Sequence, residues 1–279
     1  MSTSTPEPTE NPEVGLRVDA GGIGTNYLHS GEGAPVLLVH GSGPGVSAYS
    51  NWRLTIPALA QRFAVYAPDI VGFGFTDRPE GFRYSMDTWR AHLLAFADAL
   101  GLERFSIVGN SFGGGLALSM AVHAPERVDR LVLMGSVGVS FPITPGLDAV
   151  WGYEPSLEAM RGLLDIFAYD RSLVTDELAR LRYAASTRPG FQESFSAMFP
   201  EPRQNGVDDL ATAEELIREL PHRTLVVHGR DDRVIPLANA YRLLDLISDS
   251  QLHVFGRCGH WSQIEHAEEF NRIVGDFLA

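Results

Sequence analysis

The sequence predicts an α/β fold, a doubly wound and mostly parallel sheet with an inserted helical lid. Two patterns carry this: short, continuously apolar runs, and helix-length segments that alternate with them until a long helical stretch interrupts. Strands buried on both faces read as unbroken Val, Ile and Leu runs, because helices cover a parallel sheet on each side.

The first thirteen residues, Met1 to Glu13, are rich in Ser, Thr, Pro and Glu and are expected to form a disordered tail. Val14 to Asp19 and Ile23 to His29, separated by Gly21 and Gly22, read as a hairpin. The buried-strand runs then follow at Val36 to Val39, Phe63 to Tyr66, Phe105 to Val108, Leu131 to Met134 and Thr224 to Val227. Helices are expected over Trp52 to Gln61, Asp87 to Leu100, Phe112 to His123, Leu237 to Ile247 and His266 to Leu278. Between Phe141 and Asp209 there are helical signals, Ser156 to Tyr169 and Thr175 to Ser186, but no buried-strand run. The expected division is therefore a core of residues 14 to 140 plus 210 to 279 and a lid of residues 141 to 209.

A chain of 279 residues with 44% hydrophobic and 20% charged residues has the balance of a globular protein that buries a sizeable core without staples. One cysteine, Cys258, rules out an intramolecular disulfide and fits a reducing compartment. The N-terminus has neither the basic nor the apolar region of a signal peptide, and no apolar run nears the roughly 20 residues that span a bilayer. A cytoplasmic location is expected. The net charge of −13 argues against nucleic acid or an anionic membrane as partner.

Gly109-Asn110-Ser111-Phe112-Gly113 fits G-x-S-x-G, directly after one expected strand and directly before a helix. That context marks the nucleophile turn of the α/β-hydrolase fold, where a sharp bend lifts the serine hydroxyl clear of the backbone. A serine needs a base, and the base needs a third group to fix its tautomer. In this fold the order along the chain is Ser, acid, His. Of nine histidines, His260 sits on a loop after the run Leu252 to Phe255, where loops open into the crevice of a parallel sheet. His253 alternates within a strand and His40 precedes a glycine loop; both read as structural. The acid is expected after the strand Thr224 to Val227, where Asp231 and Asp232 compete. Asp232 is preferred on its resemblance to H-G-x-x-D-x-x-x-P. His40-Gly41-Ser42-Gly43-Pro44-Gly45 follows another strand, so the backbone N–H groups of Ser42 and Phe112 are the expected oxyanion donors. A phosphate loop of the G-x-x-x-x-G-K-[ST] type is excluded, since the chain contains no lysine. No metal-ligand spacing or cofactor motif is present, and none is expected to be needed.

The glycine loop with Asn51-Trp52 beyond it, Asn110 before the nucleophile, Arg188 in the lid, and Cys258-Gly259-His260-Trp261 together resemble the meta-cleavage product hydrolases. The resemblance runs from about Val14 to Leu278. Its lid, Trp151 through Asp170 and Phe191 to Arg203, resembles the branch acting on 2-hydroxymuconate semialdehyde and its 6-alkyl homologues. These enzymes cleave a carbon–carbon bond in ring-fission products of aromatic degradation, so a small-molecule dienoate and no cofactor are implied. Expelling carbon requires ketonisation of the dienol first, with a proton moved to C5 as an electron sink. The resemblance implies that Arg188 pairs with the carboxylate end, bidentate geometry favouring arginine. It also implies that Asn51, Asn110 and Trp261, with the glycine-loop residues Gly41 and Gly43, hold the same end, and that Ser42 and Phe112 face the C6 carbonyl. Trp151 is expected in the pocket wall, and a homo-oligomer is expected from the relatives. Two alternatives use the same residues: a general carboxylesterase, and a ligand receptor on this fold.

Overall fold

The computed structural model describes residues 11–279, so the expected tail over residues 1–10 lies outside the described residues. Its last part does not behave as a tail, because Asn11, Pro12 and Glu13 pack into the wall of the cavity that also holds His260.

Eight strands form one sheet: β1 (Leu16–Asp19), β2 (Gly24–Ser30), β3 (Pro35–Val39), β4 (Ala64–Pro68), β5 (Phe105–Asn110), β6 (Val128–Met134), β7 (Thr224–Gly229) and β8 (Ser250–Phe255). Their spatial order is β1-β2-β4-β3-β5-β6-β7-β8. The hairpin β1–β2 and the pair β2–β4 are antiparallel, and every pairing from β4 through β3 to β8 is parallel. Alternate residues of one strand enter different cores: Leu37 and Val39 of β3 join one apolar cluster, Val36 and Leu38 the other. This is the physical reason the strands read as continuous apolar runs rather than alternating ones.

Helices of the core are α1 (Ala48–Trp52), α2 (Ile56–Leu59), α3 (Met86–Ala99) and α4 (Phe112–His123). After β6 the chain makes α5 (Pro145–Trp151), α6 (Leu157–Phe167), α7 (Asp176–Ser186), α8 (Phe191–Met198), α9 (Gln204–Asp209) and α10 (Glu214–Arg218) before β7. It ends with α11 (Leu237–Leu246), α12 (Ser262–Glu265) and α13 (Ala267–Leu278). One sheet face packs on α3, α4 and α11; the other packs on α1, α2 and α13. The sheet is thus wound on both sides, as its apolar runs predict. None of the described helices is long and apolar enough to cross a membrane.

The helix expected over Trp52 to Gln61 is in fact two short helices. Ser47 caps α1 with a reciprocal capping box on Ser50, so the helix starts four residues earlier, at Ala48. Thr55 then starts α2 afresh, with Pro57 in its first turn. In the insertion, α6 is capped by Ser156 and α7 by Thr175, each hydroxyl accepting from a backbone N–H three residues on.

Candidate active site

The turn between β5 and α4 carries Ser111 at φ 53° and ψ −115°, a left-handed backbone for a residue with a side chain. Two features hold it there. The Ser111 N–H donates to the Met134 carbonyl at the end of β6 (2.8 Å), and its carbonyl receives the N–H groups of Gly114 and Gly115. Gly113 lets the new helix lie against β3: a Cβ there would stand 2.3 Å from the Val39 carbonyl oxygen. The turn is therefore built by its neighbours, with glycine where the backbones meet.

His260 and Asp232 approach from the loops after β8 and β7. The Asp232 Oδ2 accepts from His260 Nδ1 at 2.7 Å, while its Oδ1 accepts the N–H groups of Val234 (2.7 Å) and Ile235 (3.0 Å). Asp232 is fully buried. Burial pushes its carboxyl upward, but the charge and hydrogen bond of His260, with help from His228 and the Val234 N–H, outweigh this and hold it below the usual carboxylate range. Asp231 is a third exposed, turns to Arg230, and does not meet His260. His228 supports the pair from behind: its Nε2 donates to the Ile235 carbonyl (3.0 Å), and burial lowers its pKa.

The loop bearing His260 is latched to the insertion. Its N–H donates to the Phe167 carbonyl at 2.7 Å, and the Phe167 ring stacks near both the His260 and Trp261 rings. Glu265 fastens the other side, its Oε2 accepting from Tyr169 and Asp170 N–H and its Oε1 from Gly259 N–H, all at 2.8 Å. Cys258 is buried here, and burial pushes its thiol up to about 12, so it stays protonated beside His260.

The glycine loop is fixed by two side chains. His40 donates from Nδ1 to the Gly41 carbonyl (2.8 Å) and accepts the Ile70 N–H at Nε2 (3.0 Å), which defines one neutral tautomer; burial lowers its pKa to about 4. Asn51 Oδ1 accepts the Gly41 N–H at 2.7 Å. Asn110 reaches the same place, since a Cβ on Gly41 would stand 2.7 Å from its Oδ1.

These elements open on a cavity of about 360 Å3. Its wall includes Gly41, Gly43, Asn51, Asn110, Arg188 and Trp261, the set expected at the substrate's acid end, together with Ser42, expected as an oxyanion donor, and His260, the expected base. Met160, Leu164, Phe167, Leu178 and Leu181 of the insertion form its apolar side. Phe112 is fully buried, and its backbone N–H is the first of α4, one of the groups a helix leaves without an intrahelical partner.

Trp151 is not in the cavity wall, contrary to expectation. It lies behind Ser42, donating from Nε1 to the Ser42 hydroxyl at 3.0 Å and stacking on Phe199 at 4.4 Å. Its bulk is taken up by that stack, and its one polar atom serves the glycine loop. Other lining residues had no sequence signal: Glu13 falls in the apparent tail, and Arg182 looks like any surface arginine of a lid helix. Arg182 is held among Arg53, Arg188 and Glu13, and burial lowers its pKa to about 10.

A family profile described as the alpha/beta hydrolase fold matches residues 34–267. The 2-hydroxymuconate semialdehyde hydrolase of Pseudomonas sp. (strain CF600) is 61% identical over 272 residues, covering 98% of this chain and 96% of its own. The 2-hydroxy-6-oxo-2,4-heptadienoate hydrolase of Pseudomonas putida (strain F1) is 62% identical over 269 residues, covering 96% and 98%. Among solved structures, the meta-cleavage product hydrolase CumD of Pseudomonas fluorescens IP01, as a serine-to-alanine mutant complexed with acetates, matches at a TM-score of 0.95. It is 63% identical and covers 96% of this chain and 98% of its own. The chain belongs to the meta-cleavage product hydrolases of the α/β-hydrolase fold. These matches cover 96% to 98% of the relatives' own chains, so this hydrolase spans nearly their whole length.

Proposed function

We propose that this hydrolase cleaves the C5–C6 bond of 2-hydroxy-6-oxohexa-2,4-dienoates, 2-hydroxymuconate semialdehyde or its 6-alkyl analogues. Water is consumed, and the products are 2-hydroxypenta-2,4-dienoate and a small carboxylic acid: formic acid when C6 carries hydrogen. The observation that carries the proposal is a single cavity whose wall brings together His260 and a polar set, Asn51, Asn110, Arg188 and Trp261. A plain esterase needs the first group and has no use for the second.

The chemistry follows from the residues. Arg188, a planar fork of donors, takes the substrate carboxylate, and the Asn51, Asn110 and Trp261 donors take the adjacent C2 oxygen. Ketonisation places a proton on C5 and turns the dienol into an acceptor for the electron pair of the breaking bond. His260 serves this transfer, since Asp232 occupies Nδ1 and leaves Nε2 to exchange protons. Ser111 attacks the C6 carbonyl, giving its proton to His260, while the N–H groups of Ser42 and Phe112 hold the oxyanion. Collapse breaks C5–C6, the electron pair passing into the ketonised chain. Water then frees the acid from Ser111. The proposal also keeps the expectation of a cytoplasmic homo-oligomer acting on a small molecule, with no cofactor.

The test is loss of the yellow dienolate absorbance when purified enzyme meets 2-hydroxymuconate semialdehyde. R188A is expected to raise KM for that substrate at least tenfold and to leave p-nitrophenyl ester cleavage unchanged. A wild-type enzyme that leaves the absorbance untouched while cleaving esters quickly sinks the carbon–carbon reading.

A further inference from the structure

Glu13 belongs to the stretch of sequence that reads as a disordered tail, yet it is among the most firmly held residues of the cavity wall. Its Oε2 pairs with Arg188 Nη1 at 2.8 Å, and its Oε1 accepts from the Ser47 hydroxyl at 2.9 Å. Its main-chain carbonyl accepts from Nδ2 of the buried Asn26 at 2.9 Å, and its N–H donates to the Asn11 side chain at 3.0 Å. Its side chain is only 13% exposed, while that of Arg188 is 31% exposed. The two lie 175 positions apart in sequence, so no local pattern joins them.

Either of two roles could bring a carboxylate to the arginine that receives the substrate's acid. A competitor would occupy the guanidinium until substrate displaced it. A brace would stay in place and fix the guanidinium for the substrate. The geometry points to the brace, and we infer that Glu13 is a positioning residue for Arg188 at the acid-binding end. The inference rests on the proposed role of Arg188. A competitor must swing away, and Glu13 is held at both carboxylate oxygens and at its main chain. Arg188 also has donors to spare: Glu13 engages Nη1, and the guanidinium lies over the Phe75 ring at 4.9 Å, leaving part of its planar fork for a ligand. Ser47 adds a second effect. It is the N-cap of α1, the helix that carries Asn51, so one carboxylate ties the lid arginine to the helix presenting another acid-end residue.

Charge supports the same role. Arg53, Arg182 and Arg188 line this end against Glu13 alone, so it carries two net positive charges. That suits a carboxylate joined to a dienol that ionises readily. Without Glu13 the three guanidiniums would repel one another uncompensated, and Arg188, which loses its ion-pair partner, would be the one to move.

The test is Glu13→Gln, which keeps size and main-chain anchors but removes the charge. E13Q is expected to raise KM for 2-hydroxymuconate semialdehyde about tenfold with kcat within about twofold, and to leave p-nitrophenyl acetate cleavage unchanged. E13Q combined with R188A is expected to be no worse than R188A alone, because a brace has no effect once its target is gone. A KM that is unchanged or lower in E13Q overturns the inference, the latter showing a competitor. Parallel loss of ester cleavage also overturns it, as a general structural role. If R188A itself leaves the dienoate KM unaltered, the fault lies in the role of Arg188; if R188A acts and E13Q does not, it lies in the role of Glu13. Should E13Q melt below the assay temperature, Glu13→Asp tests the contact instead, since it keeps the charge and withdraws the carboxylate by one methylene; a raised dienoate KM with unchanged ester cleavage is again expected, and an unchanged KM overturns the inference.

Discussion

At the residue scale, the neighbours Asp231 and Asp232 show how far local sequence reaches. Both follow β7, and spacing alone left them in competition. The backbone decides between them: Val234 and Ile235 turn their N–H groups onto Asp232 Oδ1, which aims Oδ2 at His260, while Asp231 points to Arg230 and solvent. Substituting Asp232 by Asn removes the acceptor that selects the His260 tautomer, and kcat is expected to fall on the order of 10^3- to 10^4-fold. D231N, losing one exposed ion pair, is expected to stay within about twofold. Steady-state kinetics on the dienoate check both, and similar losses in the two variants would refute the assignment. Ser111 was legible because its motif is five contiguous residues between a strand and a helix. Glu13 was illegible because its meaning lies in partners that are distant in sequence.

At the element scale, the sheet was legible and the insertion only partly so. Parallel strands buried on two faces announce themselves by composition, whereas the helices α5, α8, α9 and α10 are only five to eight residues long, too short for an apolar stripe to repeat. Trp151 illustrates the difference. As a large aromatic in a lid it reads as pocket wall, but the end of α5 carries it behind the glycine loop, where its indole N–H meets Ser42. The insertion and the glycine loop are thereby joined by one hydrogen bond. Trp151→Phe keeps an aromatic ring against Phe199 and deletes the donor. A neutral hydrogen bond contributes roughly 0.5–1.5 kcal/mol, so kcat is expected to fall about three- to tenfold if the bond holds the Ser42 loop in its working position. The urea midpoint should move little. A large loss of stability with unchanged kcat would instead mean that Trp151 serves packing alone.

At the scale of the whole molecule, buried titratable groups set how the fold responds to acid, His40, His92 and Asp69 among them. His40 and His92 are each held neutral by burial, which lowers their pKa to about 4. In His92 the ring accepts the Val71 N–H at Nδ1 and pairs with Thr25 Oγ1 at Nε2, leaving no site for a second proton without breaking a bond. Asp69 moves the other way. Burial raises its pKa to about 6, against the N–H groups of Ala48 and Phe75 and the Asn26 amide that favour its ionised form. Between about pH 4 and 6 the unfolded chain therefore binds two protons, on the histidines, that the folded chain refuses. The folded chain binds one, on Asp69, that the unfolded chain has lost. From these three groups the unfolded state holds one more proton, and His228, whose pKa burial also lowers, adds to the same side, so stability falls as pH drops through this window, by at least about 1.4 kcal/mol per pH unit. The histidine contribution is fully present above their unfolded pKa near 6.5 and lost as pH falls toward 4; the Asp69 contribution runs oppositely, greatest below its unfolded value and lost as pH rises to about 6. Replacing His92 by Gln, which can still bond Thr25 but does not titrate, should remove one proton from the histidine side and make the slope shallower. Urea unfolding of wild type and H92Q at half-unit steps from pH 4.5 to 6.5 measures this, and equal slopes in the two proteins would show that His92 does not carry the difference.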